Sequence, residues 1–259
     1  MTGIEAACAK ALPRRGDSWL IAVLAAAFAG SAWATLRLCA GMGGGMPMPG
    51  GWSMSMAWMR MPGQTWPGAA AMFVAMWTAM MAAMMLPWLA SVLLARRRAP
   101  AEAAGLCAGY FAVNIAAGAL IWAGGAALAS AQMRWSALSE ATPFAAACIV
   151  LAAGLTQFTD SKRRRLERCR SAACARMTSG GALALGGRIG LDCLASCAEY
   201  LALLLATDVM SLPLMSAVAA AILAERLLPR PDLVRRVSGA AVAAAGVGFL
   251  AHALMTGWV

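Results

Sequence analysis

The chain has 259 residues, 62% of them hydrophobic and only 12% charged, with a mean hydropathy of +0.71 and a net charge of +10. Soluble domains are roughly 45–50% apolar and about 25% charged, so this balance argues against a disordered chain and against a water-soluble enzyme; it describes an all-α, polytopic membrane bundle. One histidine stands against nineteen methionines and eight cysteines, which disfavours a His-rich zinc site and most histidine acid–base chemistry.

A membrane-spanning helix needs about 20 apolar residues. Seven runs qualify: 18–36, 68–94, 104–130, 141–159, 181–206, 209–228 and 237–256. None alternates as a barrel strand would, and helix is the state that satisfies the backbone in lipid. With the N-terminal segment 1–17 on the cytoplasmic side, eighteen of the twenty-one Lys and Arg residues fall on inner segments. The positive-inside rule then gives an N-in, C-out path. The expected location is a bacterial cytoplasmic (inner) membrane, and topology and lipid headgroups account for the charge without nucleic acid. In the first span Arg14 and Arg15 precede the apolar stretch and Ala32-Trp33-Ala34 resembles a cleavage site. The stretch is longer than a signal-peptide core, so it reads as an uncleaved anchor; cleavage would leave six spans.

Residues 37–67 form the one long external loop. Its glycines and prolines are expected to prevent regular structure over its first half. It carries Met42, Met46, Met48, Met54, Met56, Met59 and Met61 with Trp52, Trp58 and Trp66, and the second span continues with Met72, Met76, Met80, Met81, Met84 and Met85. Thirteen of nineteen methionines therefore fall between 42 and 85. Thioethers bind Cu(I) at any pH and are poor ligands for Mg, Ca or Zn. The competing reading is packing, since Met is a flexible core filler. Met72, Met76, Met80 and Met84 recur every fourth residue and form one stripe, with Met81 and Met85 forming a second. Such stripes suit a path for a soft cation or a seam between helices.

Asn114 on the third span reads as an interhelical hydrogen-bond donor. The basic inner loop 160–180 opens with DSKRRRLERCRSAACAR, in which Cys169 and Cys174 sit among cations. A basic field favours a thiolate, but the spacing is not CxxC, and lipid contact accounts for the charges. The fifth span carries GLDCLASCAEY at 190–200: Asp192, Ser196 and Glu199 share one face, and Cys193 and Cys197 the adjacent one. Ionisable groups inside a span face the bundle interior or a cavity. Thiols at i and i+4 can hold one soft cation while a nearby carboxylate takes the released protons. For Asp192 the alternative is a pair with Arg188; for the two cysteines it is small-residue packing. Glu225 beside Arg226 reads as a structural ion pair. On the last span Gly239, Ala243, Gly246 and Gly248 offer close helix contact.

Three blocks carry a resemblance. They are MWTAMMAAMMLP at 76–87, with Trp77, Met80, Met81, Met84, Met85 and Pro87; GLTQFTDSKRRRLERCR at 154–170, with Gln157, Lys162, Cys169 and Arg170; and GLDCLASCAEY through DVMSLPLM and AER, with Gly190, Cys193, Cys197, Met210, Met215 and Glu225. The chain resembles the bacterial domain-of-unknown-function family 2182, described as a predicted metal-binding integral membrane protein. It departs from that family's pattern at Arg165 and Ser196, where a Cys is usual, and at Arg168, where a His is usual.

The expected function is binding or relay of a soft metal ion, foremost Cu(I). The candidate ligands are Met54, Met56 and Met59 in the loop, Met80, Met81, Met84 and Met85 in the second span, and Cys193, Cys197 and Glu199 in the fifth. Expected partners are the lipid bilayer and a membrane complex or periplasmic metal protein. The alternative is a structural or accessory subunit of a larger membrane complex with no metal of its own. No Ser–His–Asp set, P-loop, HExxH or dinucleotide fingerprint occurs, so an enzyme is not expected.

Overall fold

The structure, a computed structural model, describes residues 18–41, 44–49, 51–60, 63–96, 100–171, 181–207 and 211–256. Cys8, Met42, Met61, Cys174 and Met210 lie outside the described residues. Eight α-helices occur among the described residues: α1 Ser18–Gly41, α2 Trp66–Arg96, α3 Pro100–Arg134, α4 Ser136–Thr156, α5 Asp160–Arg170, α6 Gly181–Ala206, α7 Leu212–Leu227 and α8 Pro231–Thr256. Six of them, all but α5 and α7, are long and apolar enough to cross a membrane. The run expected as the sixth span becomes α7, a helix of 16 residues. At about 1.5 Å per residue it is some 24 Å long, short of a roughly 30 Å hydrocarbon core.

Two elements differ from the sequence reading. The loop's first half is not irregular: β1 Gly45–Met48 and β2 Trp52–Ser55 pair antiparallel, Met46 opposite Met54 and Met48 opposite Trp52. Between the strands Gly51 takes a φ of 73° that a side chain would resist. The inner loop is not a mere charged connection. Its first eleven residues form α5, started by Thr159, whose hydroxyl accepts from the Lys162 amide.

The bundle packs most extensively through two helix pairs, α4 with α8 and α3 with α6. Glycine makes both close. A Cβ on Gly109 would collide with the Leu183 carbonyl, and one on Gly186 with the Leu106 carbonyl. Likewise Gly239, Ala243 and Gly246 lie against Gln157, just past the end of α4, and Gly154 and Leu151 within it. The small-residue stripe is thus used within the chain, and of its three glycines only Gly248 has room for a Cβ, which would meet nothing within 4 Å.

The core follows α2. Phe73, Met76, Trp77, Met80, Met81, Met84, Met85, Trp88 and Leu89 are buried in one cluster with Tyr110, Cys169, Cys193, Cys197 and Ile222. Met72, the head of the expected stripe, is exposed. Asn114 is not the interhelical donor expected: its side-chain amide donates to the Tyr110 carbonyl one turn earlier, and its backbone carbonyl accepts from Trp77 Nε1 at 3.1 Å. The bundle has two distinct ends. At one, the β-hairpin is pinned to α4, where Trp52 Nε1 donates to the Ser139 carbonyl and the Ser139 hydroxyl to the Pro49 carbonyl, both 3.0 Å. At the other lie α5 and the basic starts of α6 and α8.

Candidate metal site at the basic end of the bundle

The helix α5 folds under the bundle and fixes the end of α7. Arg170 Nη1 donates to the carbonyl oxygens of Glu225 and Arg226, both at 2.8 Å, so a cation caps the free carbonyls of a helix C-terminus. Arg235 of α8 donates to the Gln157 carbonyl at the α4–α5 corner. Lys162, Leu166 and Cys169 follow at i, i+4 and i+7 and are all buried, so one face of a very polar helix turns into the core.

Lys162 is fully buried. Its ammonium donates to the Ser196 carbonyl and lies 3.2 Å from Glu199 Oε2 and 3.4 Å from Glu225 Oε2. Tyr200 donates to Glu225 Oε1 at 2.6 Å, with Ser238 Oγ 2.8 Å away, and its ring faces the ammonium. One cation thus joins α5, α6 and α7. Glu225 pairs with Lys162, not with Arg226. Asp192 also differs from expectation: its side chain is 39% exposed and faces Arg168 at 3.9 Å rather than Arg188.

Beside this ion cluster lies a group of sulfur atoms. Tyr110 Oη is 2.9 Å from Cys193 Sγ, and Cys193 Sγ is 3.7 Å from Met85 Sδ. The Arg226 guanidinium stands among them. Its Nη1 donates to Met85 Sδ at 3.0 Å; its Nη2 reaches Cys197 Sγ at 2.8 Å, Ser196 Oγ at 3.1 Å and Cys193 Sγ at 3.2 Å. Its other face stacks on Trp88, 4.7 Å from the ring centroid. Cys169 of α5 completes the group. A hydrogen bond from Cys193 holds the Cys169 thiol below its ordinary pKa, opposed by burial and assisted by the Arg226 charge. Cys169, Cys193 and Cys197 are free thiols.

Of the ten expected ligands, Met85, Cys193 and Cys197 are brought together. Met80, Met81 and Met84 are buried in the same core, and Glu199 is one turn away, engaged by Lys162. Met54 is buried in the hairpin and Met56 and Met59 are half-buried beside it, all at the other end of the bundle. Next to them a cavity of about 1000 Å³ opens between the hairpin and α3, α4 and α6; among the described residues Cys39 supplies its sulfur and no methionine lines it. Arg226, Tyr110 and Tyr200 escaped the sequence reading, as did the burial of Lys162 and Cys169.

Sulfur is the chemical signature of the central set. Among the described residues no group of three or more His, Cys, Asp or Glu could hold a metal ion, so a site with three or more ligands here draws on thioether as well as thiol. Two sulfurs bonded to one ion at about 2.3 Å and 120° apart would be separated by about 4 Å, and Met85 and Cys193 are 3.7 Å apart. That donor set fits a soft ion and not Mg, Ca or Mn.

No curated protein and no solved structure matches the chain significantly. A family model described as PpoB2, copper chaperone, matches residues 74–249, from the first turns of α2 into α8. The match takes in every residue of the sulfur and ion clusters and omits α1 and the hairpin. The chain belongs to the PpoB2 copper chaperone family.

Proposed function

We propose that the chain is a multi-pass protein of a bacterial inner membrane that binds and relays Cu(I) through sulfur ligands, with Met85, Cys193 and Cys197 as the central set and Cys169 beside them. One observation carries the reading: a thioether and two thiols from α2 and α6 converge, fully buried, in a family of copper chaperones. Thiolate and thioether together favour Cu(I) over harder ions. Met76, Met80, Met81 and Met84 extend the sulfur set along α2 toward the hairpin end, over about 13 Å at the helical rise. Met54, Met56 and Met59 would meet the ion first on an outer face, and a periplasmic metal protein would be the partner there. Glu199 acts through Lys162 as a charge partner of the site rather than as a ligand, because Lys162 already holds its oxygen.

The test is copper per chain after loading purified protein with Cu(I) under reducing conditions, read by elemental mass spectrometry. Wild type is expected to retain copper and Cys193→Ser/Cys197→Ser to lose it. A wild-type chain that stays empty, or that takes Zn(II) or Mn(II) in preference, overturns the reading.

A further inference from the structure

The guanidinium of Arg226 lies in the space that the sulfur ligands would share. Its two terminal nitrogens reach Met85 Sδ, Cys193 Sγ and Cys197 Sγ at 3.0, 3.2 and 2.8 Å. An ion bonded to all three sulfurs at about 2.3 Å must enter that space. We infer that Arg226 is a built-in competitor for the metal: it satisfies the sulfurs when no ion is present, yields them when one enters, and takes them back when the ion passes to an acceptor. The inference rests on the proposed copper site and adds how that site lets go.

The surroundings support a guanidinium that shifts without leaving. Trp88 holds one face by cation–π contact at 4.7 Å. Ser196 Oγ at 3.1 Å and the Cys193 carbonyl at 3.4 Å remain as acceptors when the sulfurs are taken. The carbonyls at the end of α7 are tied to Arg170, so the backbone under Arg226 stays in place while the side chain moves. A buried cation needs partners in both states, and this one has them. A chaperone that must surrender its cargo gains from such an arrangement, because each sulfur released by the ion is taken back by an N–H donor already beside it.

The experiment compares wild type, Arg226→Leu, Arg226→Lys and Cys193→Ser/Cys197→Ser as full chains in lipid nanodiscs. Cu(I) affinity is read by competition with a chromophoric chelator, and release by transfer to excess chelator. Arg226→Leu is expected to bind at least about tenfold tighter and to release more slowly, since the competing donors are gone. Arg226→Lys keeps the charge but cannot span three sulfurs, and is expected between the two. Equal or weaker binding by Arg226→Leu makes the guanidinium a counter-ion that supports the metal and overturns the inference. Should that variant not fold, Arg226→Lys binding no tighter than wild type overturns it. Failure of wild type to bind Cu(I), or retention by the serine pair, removes the site itself, a different result.

Discussion

At the basic end Met85 is fully buried, 3.7 Å from a thiol and 3.0 Å from a guanidinium, on a helix inside the family match. At the hairpin end Met46 is exposed and Met56 and Met59 are half-buried, on a segment that the family match omits. The sequence presents both as one methionine-rich stretch from 42 to 85. The structure divides it: one part stands in a core that holds thiols and charge, the other on a small sheet clamped to α4 by Trp52 and Ser139. A count of thioethers therefore says less about the proposed site than the neighbours of each sulfur do.

The sharpest way to break this contrast is to remove the charge that underlies the basic end. Lys162→Met leaves Glu199 and Glu225 buried without their cation. Losing one partner of a buried pair costs about 3–5 kcal/mol. A large fall in the thermal unfolding midpoint in mild detergent is expected. An unchanged midpoint would mean that the ion cluster does not hold α5, α6 and α7 together.

A smaller and more selective effect is expected from Met85→Leu. The swap nearly conserves volume, so stability should change by less than about 1.5 kcal/mol. Cu(I) affinity should fall by about 10- to 100-fold, the range seen when a metal site loses a supporting group. Met80→Leu, on the same helix but without a hydrogen bond to a thiol among the described residues, should fall by less. Equal losses at both positions would spread the site along α2 and blur the distinction between the ends.

How much of this was legible depended on whether the signal was local. Apolar runs gave six of the seven expected helices of spanning length, because lipid imposes helix on any backbone that crosses it. The pairing of Cys193 with Cys197 followed from helical spacing alone. The hairpin has no such signal, because Pro49 and its neighbouring glycines read as breakers in the sequence, although the two four-residue strands pair across them. Lys162, Leu166 and Cys169 showed an amphipathic spacing, masked by the surrounding arginines. Arg226 had no such signal. Its neighbour Glu225 offered a sufficient local partner, and only the packing of α7 on α2 and α6 brings its guanidinium to the sulfurs.

At the hairpin end the first probe is Trp52→Phe, which keeps the ring and deletes the donor to the Ser139 carbonyl. One such hydrogen bond contributes about 0.5–1.5 kcal/mol. The hairpin should become more sensitive to protease while Cu(I) affinity of the buried site stays unchanged. A joint loss of both would couple the two ends.

The smallest equilibrium effect is expected from the combined Met54→Leu, Met56→Leu and Met59→Leu variant. Leucine fills a similar volume at each position, and these sulfurs lie at the opposite end of the bundle from Cys193 and Cys197. The equilibrium affinity of the buried set should therefore stay within about twofold, the size of an ordinary distant substitution. What should fall is the rate at which protein in vesicles takes up Cu(I) supplied at low concentration, because capture and retention then belong to different ends. If the triple variant loses affinity as steeply as Met85→Leu, the hairpin sulfurs are part of one continuous site. The division drawn here between collecting and holding then fails. If neither rate nor affinity changes, the hairpin methionines pack the sheet and the metal chemistry resides wholly in the bundle.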